Sequence, residues 1–316
     1  MNLSVIIPCY RSVEALPPLV ERLSGALSGL VASGRLDAFE VLLIVDGSPD
    51  STAHVARELA AGLEAFTVLE MRRNFGQHNA LVAGVRAARY EVVVTMDDDL
   101  QHPPEQIERL IAPLENDHVD LAYGVPTVEE HGFLRSLASR TVKNALRLAG
   151  VPNAQYVGAF RAFRTDLRDG FSEVNDPQVN LDVLLSWTTT AVVPVELTMD
   201  RRTTGTSSYN LVALIRHTLN MVTGYGVVPL KLATWLGFIC GIFGVVLMVI
   251  VVFRFAIGET TVAGFTTVAA LVSLFAGAQL ISLGIIGEYL GRAHFRSMHR
   301  PMYLLRREAA DVEPRD

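Results

Sequence analysis

The chain has 316 residues, enough for one large domain or two ordinary ones, and half of them are hydrophobic. A net charge of −6 argues against a nucleic-acid binder, which normally carries a basic surface. The two cysteines, Cys9 and Cys240, are too far apart in the sequence to suggest a disulfide framework or a zinc site.

The chain opens directly into Asn2-Leu3-Ser4-Val5-Ile6-Ile7. No basic n-region or cleavage site precedes this run, so no signal peptide is expected and the first domain should stay inside the cell. Up to about residue 200, strand and helix patterns alternate. Strands are expected at Leu3–Pro8, Glu40–Val45, Phe66–Met71, Glu91–Met96 and Val119–Tyr123. Most are short β-branched runs, the mark of strands buried on both faces. Helices are expected over Val13–Leu30, Ser51–Leu63, Gln77–Ala88 and Pro104–Leu114. Such alternation predicts an α/β domain with a mostly parallel, Rossmann-like sheet. Ligands of these sheets bind outside the carboxyl ends of the strands. The unusual polar residues fall just there: Tyr10, Asp46, Arg72–Gln77 and Asp97–Gln101.

Two later segments have an interfacial character. In Phe133–Leu148, the residues Ser136, Arg140, Lys143 and Arg147 share one helical face. That pattern suits equally a helix in the headgroup layer and a core helix with a solvated basic face. Leu211–Val222 is apolar-rich and directly precedes a long uncharged run, which favours the interfacial reading. From Leu232 to Phe253 no charged residue occurs, about 33 Å of helix at about 1.5 Å per residue. A second uncharged stretch runs from Thr260 to Gly287. Each is long enough to cross a bilayer, which predicts a transmembrane hairpin of helices at about 232–253 and 264–287. Arg201, Arg202, Arg216 and Lys231 flank the first span, and Arg292, Arg296, Arg300, Arg306 and Arg307 follow the second. The connecting loop carries only Arg254 and Glu259. Both termini are therefore expected in the cytoplasm, with a short loop outside. The expected organisation is a catalytic domain over 1–210, an interfacial helix over 211–228, the hairpin over 229–290 and a cytoplasmic tail over 291–316. The last residues, Glu308–Asp316, are expected to be disordered.

The sharpest chemical signal is Met96-Asp97-Asp98-Asp99-Leu100-Gln101-His102-Pro103-Pro104-Glu105. Three adjacent carboxylates repel one another unless a cation neutralises them, and oxygen ligands suit Mg2+ or Mn2+. Alternation along an extended backbone puts Asp97 and Asp99 on one side and Asp98 on the other. Taken alone, the run also reads as a solvated acidic turn capping a helix. In Val45-Asp46-Gly47-Ser48-Pro49-Asp50-Ser51, capping accounts for Asp50 or Ser51 but leaves Asp46 unexplained. A carboxylate at that point can accept hydrogen bonds from a base or ribose. The turn Arg72-Arg73-Asn74-Phe75-Gly76-Gln77-His78 offers two cations, a glycine and amides, which suits a diphosphate. His78 reads as a polar residue at a helix start.

Together, Ile6-Ile7-Pro8-Cys9-Tyr10, Val45–Ser48, Arg73–His78, Asp97–Pro104, Arg202-Thr203-Thr204-Gly205-Thr206-Ser207-Ser208-Tyr209 and Gly287-Glu288-Tyr289-Leu290-Gly291-Arg292 resemble glycosyltransferase family 2. The likeness extends to its polyprenyl-phosphate branch, whose members load mannose, glucose or formamido-arabinose onto dolichol or undecaprenyl phosphate. The resemblance implies a GT-A fold, a nucleotide-sugar donor (a UDP-sugar), a polyprenyl-phosphate acceptor, inversion at the sugar and a membrane location. It implies that Pro8, Tyr10 and Asp46 hold the nucleobase, with Asn74, Gly76, Gln77, Asp97 and Asp98 completing the donor site. Asp99 and Gln101 would ligate the metal, Asp97, Asp99 and Arg202 would serve catalysis, and Arg135 with Ser139 would receive the lipid phosphate. Relatives of this kind often form tetramers.

Two departures stand out. Many relatives have Gly-Asp-Phe-Arg where this chain has Gly158-Ala159-Phe160-Arg161, and Ser-Lys-Tyr where it has Ser207-Ser208-Tyr209. They bear on acceptor geometry and sugar identity. They also keep open a non-catalytic, membrane-tethered nucleotide-sugar binder. A processive polysaccharide synthase would need a Gln-x-x-Arg-Trp segment, which neither Trp187 nor Trp235 supplies.

Overall fold

A computed structural model describes residues 1–127, 147, 153–200, 228–258, 264–298 and 300–306. Outside them lie the expected helices Phe133–Leu148 (apart from Arg147) and Leu211–Val222, the residues Arg135, Ser139 and Arg202, the loop running to Tyr209, and the tail Glu308–Asp316. The chain divides into two compact units. One comprises Met1–Arg147, Val151–Asn210 and His299–Asp316, and the other Leu148–Gly150 and Leu211–Met298.

The first unit is built on a seven-stranded sheet: β1 Asn2–Cys9, β2 Ala38–Val45, β3 Phe66–Glu70, β4 Val92–Thr95, β5 Leu121–Pro126, β6 Arg161–Arg164 and β7 Val192–Leu197, in the order β3-β2-β1-β4-β6-β5-β7. The strands β3, β2, β1 and β4 run parallel, so their carboxyl ends meet at one edge. β6 runs antiparallel between β4 and β5, while β7 is parallel to β5. The strands β6 and β7 were not anticipated. Arg161-Ala162-Phe163-Arg164 has charged ends, and β7 includes Pro194 and Glu196, so neither carries the apolar run that marked the others.

Alternation along the central strands sorts side chains into two layers. Val5, Ile7 and Leu43 face one core with Leu16, Leu19, Leu23 and Leu27 from helix α1 (Leu16–Ala32). Ile6, Leu42 and Ile44 face the other, with Ala80, Leu81 and Val85 from helix α3 (Gln77–Ala87) and Leu181, Leu184 and Leu185 from helix α5 (Leu181–Thr188). The apolar spacing of α1 is that of a helix with one buried stripe. It starts at Leu16 rather than Val13, because Pro17 and Pro18 occupy its first turn, where a missing N–H costs nothing. Helix α2 spans Thr52–Ala60. The helix expected over Pro104–Leu114 is three pieces: a 3-10 turn at Pro104–Gln106, α4 over Ile107–Ile111 and a 3-10 turn at Ala112–Glu115. Pro113 has no N–H to donate to the carbonyl of Arg109, so the α-helical ladder stops there.

Residues 300–306 belong to the first unit and cover the end of its edge strand. Leu305 forms an antiparallel bridge with Met71, Arg72 N–H donates to Leu304 O at 2.9 Å, and Arg306 N–H donates to Glu70 O at 2.7 Å. Met302 is buried in the second core.

The second unit contains helices α6 (Val228–Ala256) and α7 (Phe265–Ser297). Both run beyond the uncharged windows, through Arg254 in one and a Glu288–Arg292 i,i+4 pair at 2.7 Å in the other. Within them, Val228–Leu247 and Leu274–His294 are apolar enough to span a membrane, and only 6% and 0% of these windows are buried. A core helix of a soluble protein would be mostly buried. Large apolar side chains on both helices, such as Phe238 and Leu280, are more than half exposed. The two helices pack on each other where Gly244 faces Phe275.

Candidate active site

The turns that leave β1, β2, β3 and β4 converge at the carboxyl edge of the parallel strands. Pro8 is buried in β1, while Tyr10, just beyond it, is 43% exposed with the Arg11 guanidinium 5.6 Å from its ring centre. Asp46 follows β2 and is 3% exposed. Its carboxylate accepts the N–H groups of Phe75 at 2.7 Å and Gly76 at 2.8 Å, fastening the turn after β3 to the end of β2. Burial pushes the Asp46 carboxyl upward, and these two donors oppose the rise. Gly47 has φ +53°, and a Cβ there would stand 2.1 Å from the carbonyl carbon of Arg73. Glycine is therefore required for the two turns to approach. Each Asp46 oxygen retains lone-pair capacity for a further donor.

Asn74 is exposed and Gly76 half-buried, and the Arg73 guanidinium lies 4.5 Å from the ring centre of Phe75. Gln77 donates from Nε2 to Asp97 at 2.7 Å, joining the start of α3 to the carboxylate run after β4. Asp98 turns toward β1, where Ser12 Oγ and the Tyr10 N–H donate to it. Burial, and then the neighbouring Asp97 and Asp99, push its carboxyl up against those two donors. Asp99 accepts the N–H of Gln101 at 3.2 Å across a turn in which Leu100 has φ +62°. Left-handed backbone at a bulky residue is unfavourable by about 1–2 kcal/mol, and packing of Leu100 against the first core offsets it.

Asp50 accepts both N–H and hydroxyl of Thr52, so it caps α2 while Ser51 does not. His78 accepts the Leu181 N–H at 3.3 Å, and its other ring nitrogen lies 3.1 Å from the amide of Asn180, the cap of α5. It joins the starts of α3 and α5.

Beneath the carboxylate run lies a buried polar network that sequence reasoning missed. Arg161 in β6 is 2% exposed and pairs with Asp182 of α5. Its Nε donates to Thr95 Oγ1 at 2.9 Å, Tyr123 OH donates to Asp182 at 2.9 Å, and Thr95 donates to the carbonyl of Ala159 at 2.8 Å. The only signal in the sequence was the Gly158–Arg161 string, whose arginine carried no assigned role. Phe160 stacks on His102 with ring centres 5.1 Å apart. His102 Nδ1 accepts the N–H of Asp97 at 3.1 Å, which leaves the hydrogen on Nε2.

No group of three His, Cys, Asp or Glu able to cage a metal occurs among the described residues. A Mg2+ or Mn2+ ion bound through one or two carboxylates, donor phosphates and water needs no such cage, and Asp97, Asp99 and Gln101 fit that mode. The upward push of Asp97 and Asp99 on the Asp98 carboxyl marks an excess of negative charge that a cation would relieve.

The glycosyl transferase family 2 pattern matches residues 4–169. Relatives named undecaprenyl-phosphate 4-deoxy-4-formamido-L-arabinose transferase, from Pectobacterium carotovorum and Klebsiella pneumoniae, are 30% and 31% identical over 99% of this chain and 95% of theirs. The chain belongs to glycosyltransferase family 2. Solved structures agree on the GT-A-like fold. Mannosyl-3-phosphoglycerate synthase from Rubrobacter xylanophilus gives a TM-score of 0.52 at 15% identity over 70% of this chain and 72% of that one. Glucosyl-3-phosphoglycerate synthase from Mycobacterium tuberculosis, in complex with Mn2+, UDP and glucosyl-3-phosphoglycerate, gives 0.52 at 19% identity over 71% and 79%. This glycosyltransferase thus combines the family's sheet with two exposed apolar helices.

Burial lowers the His102 pKa to about 4, with the Arg161 charge adding to the effect and Asp99 opposing it. A histidine held neutral in the fold withdraws stability as pH falls from its unfolded value near 6.5 toward that folded value. The linkage amounts to about 2 kcal/mol between pH 7 and pH 5. Detergent-solubilised His102→Gln should therefore lose about that much less stability than wild type over this range. Parallel unfolding profiles for the two proteins would contradict a neutral, desolvated His102.

Proposed function

We propose that this glycosyltransferase moves a sugar from a nucleotide donor of the UDP type to the phosphate of a polyprenyl phosphate at the cytoplasmic membrane face, with inversion of the anomeric centre. The observation that carries the reading is the joining of the Asp97–Gln101 run, through Gln77, to the turn that Asp46 anchors, on a chain with two exposed apolar helices. Near-complete alignment with relatives named as undecaprenyl-phosphate transferases supports the acceptor class.

In this reading, Tyr10 presents its exposed ring to the base, and Asp46 accepts from base or ribose beside Pro8. The turn Arg72–Gln77 borders the donor phosphates, with Asn74 and Gly76 open to them. Asp97 and Asp98 complete the donor site, and Asp99 with Gln101 would hold Mg2+ or Mn2+. Such an ion offsets the charge of the departing nucleoside diphosphate. Arg202, proposed to close over the diphosphate, and Arg135 with Ser139, proposed to receive the lipid phosphate, lie outside the described residues.

The acceptor explains why no strong base is needed. A phosphate monoester has a second pKa of about 6 and is mostly dianionic at neutral pH. Its oxygen attacks the anomeric carbon, and the bond to the donor's β-phosphate oxygen breaks, the electron pair leaving with the nucleoside diphosphate. Attack opposite the leaving group inverts the centre. The protein's task is to align two anions and screen them, which cations serve better than a base. Ala159 is compatible with that chemistry, since its backbone carbonyl already takes the Thr95 hydroxyl and its methyl group lies where many relatives carry an acid.

Transfer to undecaprenyl phosphate, read as organic-extractable radiolabel in a screen of nucleotide sugars, tests the whole reading. Wild type should be active with the phosphate and inactive with the free alcohol, and Arg135→Ala should lose activity steeply. Ala159→Asp should change the rate only modestly. An inert wild type that Ala159→Asp awakens would overturn the base-free mechanism.

Asp99→Ala should abolish transfer with its thermal unfolding unchanged, and EDTA should do so reversibly with Mg2+ or Mn2+. Full turnover in EDTA would remove the metal from the mechanism.

The basic flanks of the two apolar helices support a hairpin with both ends in the cytoplasm. A reporter fused after Asp316 should then be cytoplasmic, and Gly258→Cys should react with an impermeant thiol reagent added outside. Reaction only after permeabilisation would invert the topology.

A further inference from the structure

We propose that Arg22, on α1, is a positioning residue that clasps Asp200 and Glu105 to the carboxylate run at Gln101. The role rests on the reading of Asp99 and Gln101 as metal-binding residues of the donor site. Arg22 reaches two carboxylates far away in sequence. Its Nε and one terminal nitrogen donate in parallel to the two oxygens of Glu105, at 3.1 and 2.8 Å. Both terminal nitrogens donate to one oxygen of Asp200, each at 3.1 Å. A planar guanidinium can serve both partners at once, whereas a lysine ammonium cannot reproduce that fork.

The two partners matter because of what adjoins them. Glu105 lies four positions beyond Gln101, on the turn that closes the carboxylate run. Asp200 lies three residues beyond the end of β7. The backbone N–H of Asp200 also donates to the carbonyl of Gln101 at 3.0 Å. Asp200 is thus held to the carboxylate run directly by its backbone and through Arg22 by its side chain. Any drift of Asp200 would pass through that backbone bond into the carboxylate run at Gln101. Arg22 also screens two acidic groups close to a run already crowded with three.

The clasp contributes little to global stability. The side chains of Arg22, Glu105 and Asp200 are 35%, 53% and 44% exposed, and exposed pairs are weakened by solvent. The core beneath α1 consists of leucines that do not depend on it. Its loss should therefore appear in turnover and local motion rather than in unfolding.

The test uses the full chain in detergent and compares wild type, Arg22→Ala, Arg22→Lys, Asp200→Ala and the Arg22→Ala/Asp200→Ala double variant. Arg22→Ala should lower kcat/KM for the donor about tenfold or more, as misplacement near the reacting atoms does. Its Tm should stay within about 4 °C of wild type. Hydrogen exchange should rise in peptides covering 97–106 and stay unchanged in those covering β1. Arg22→Lys should recover only part of the rate. The double variant should be no worse than the poorer single one, because the two residues act as a unit. Multiplicative losses in the double variant, unchanged kinetics despite faster exchange, or a fall in Tm that accounts for the lost rate would each overturn the clasp. If Asp99→Ala keeps full activity, the metal-site reading fails. If it loses activity and Arg22→Ala does not, the clasp alone fails.

Discussion

The constraint that organises this protein is the crowding of three carboxylates, Asp97, Asp98 and Asp99, where β4 ends. Like charges this close cannot all remain ionised and unpartnered at modest cost. The surroundings give each a different donor: Gln77 to Asp97, Ser12 and the Tyr10 N–H to Asp98, and the Gln101 N–H to Asp99. Asp98 has become a strut for the turn after β1 and so fixes where the Tyr10 backbone lies. The left-handed Leu100 belongs to the same solution, because it folds the run back on itself so that Gln101 returns toward Asp99. Backbone strain of this kind persists only where the surroundings over-determine it.

The second layer of that solution is the buried network under β4. A buried guanidinium is costly unless fully paired, and Arg161 is paired by Asp182 and Thr95 while Tyr123 takes up part of the remaining carboxylate capacity. Removing Asp182 alone would strand a buried cation, so the network is harder to alter piecemeal than the exposed clasp of Arg22. Burial is the main reason His102 stays neutral, and the Arg161 charge adds to it. A positive imidazolium would sit in a desolvated pocket close to the Arg161 charge, with only Asp99 favouring it. Thr95 links this layer to Ala159, so position 159 lies against the end of the strand that bears the carboxylates.

The four parallel strands were legible because each is a short apolar run followed by polar residues that such a run does not need. The same rule located Tyr10, Asp46, Arg72–Gln77 and Asp97–Gln101, which the fold brings to one edge. Less legible were interactions set by distance in space rather than by pattern. Asp46 read as a free acceptor, yet its two bonds to Phe75 and Gly76 emerge only when the β2 and β3 turns meet over Gly47. Arg22 drew no reading at all, because nothing local in α1 points to residues 83 and 178 positions away. The strands β6 and β7 were hidden for the opposite reason: they carry charge and proline, and owe their strand form to neighbours already in place.

The covering of β3 by residues 300–306 has a consequence for how the catalytic unit is assembled. An uncovered edge strand exposes unpaired backbone groups and invites other chains to pair with it. Here the cover comes from chain that follows α7, so the first unit is completed only after both apolar helices have been made. The bond from Arg72 N–H to Leu304 O lies at the entrance of the turn that Asp46 anchors from its other end. Glu70 strengthens the joint, binding Arg57 on one oxygen and Arg306 on the other. The Arg72–Gln77 turn is therefore held at one end by the interior of the sheet and at the other by the segment that follows the second apolar helix. A catalytic domain ending near residue 210 would keep the carboxylate run but lose one of the two anchors of the turn beside it.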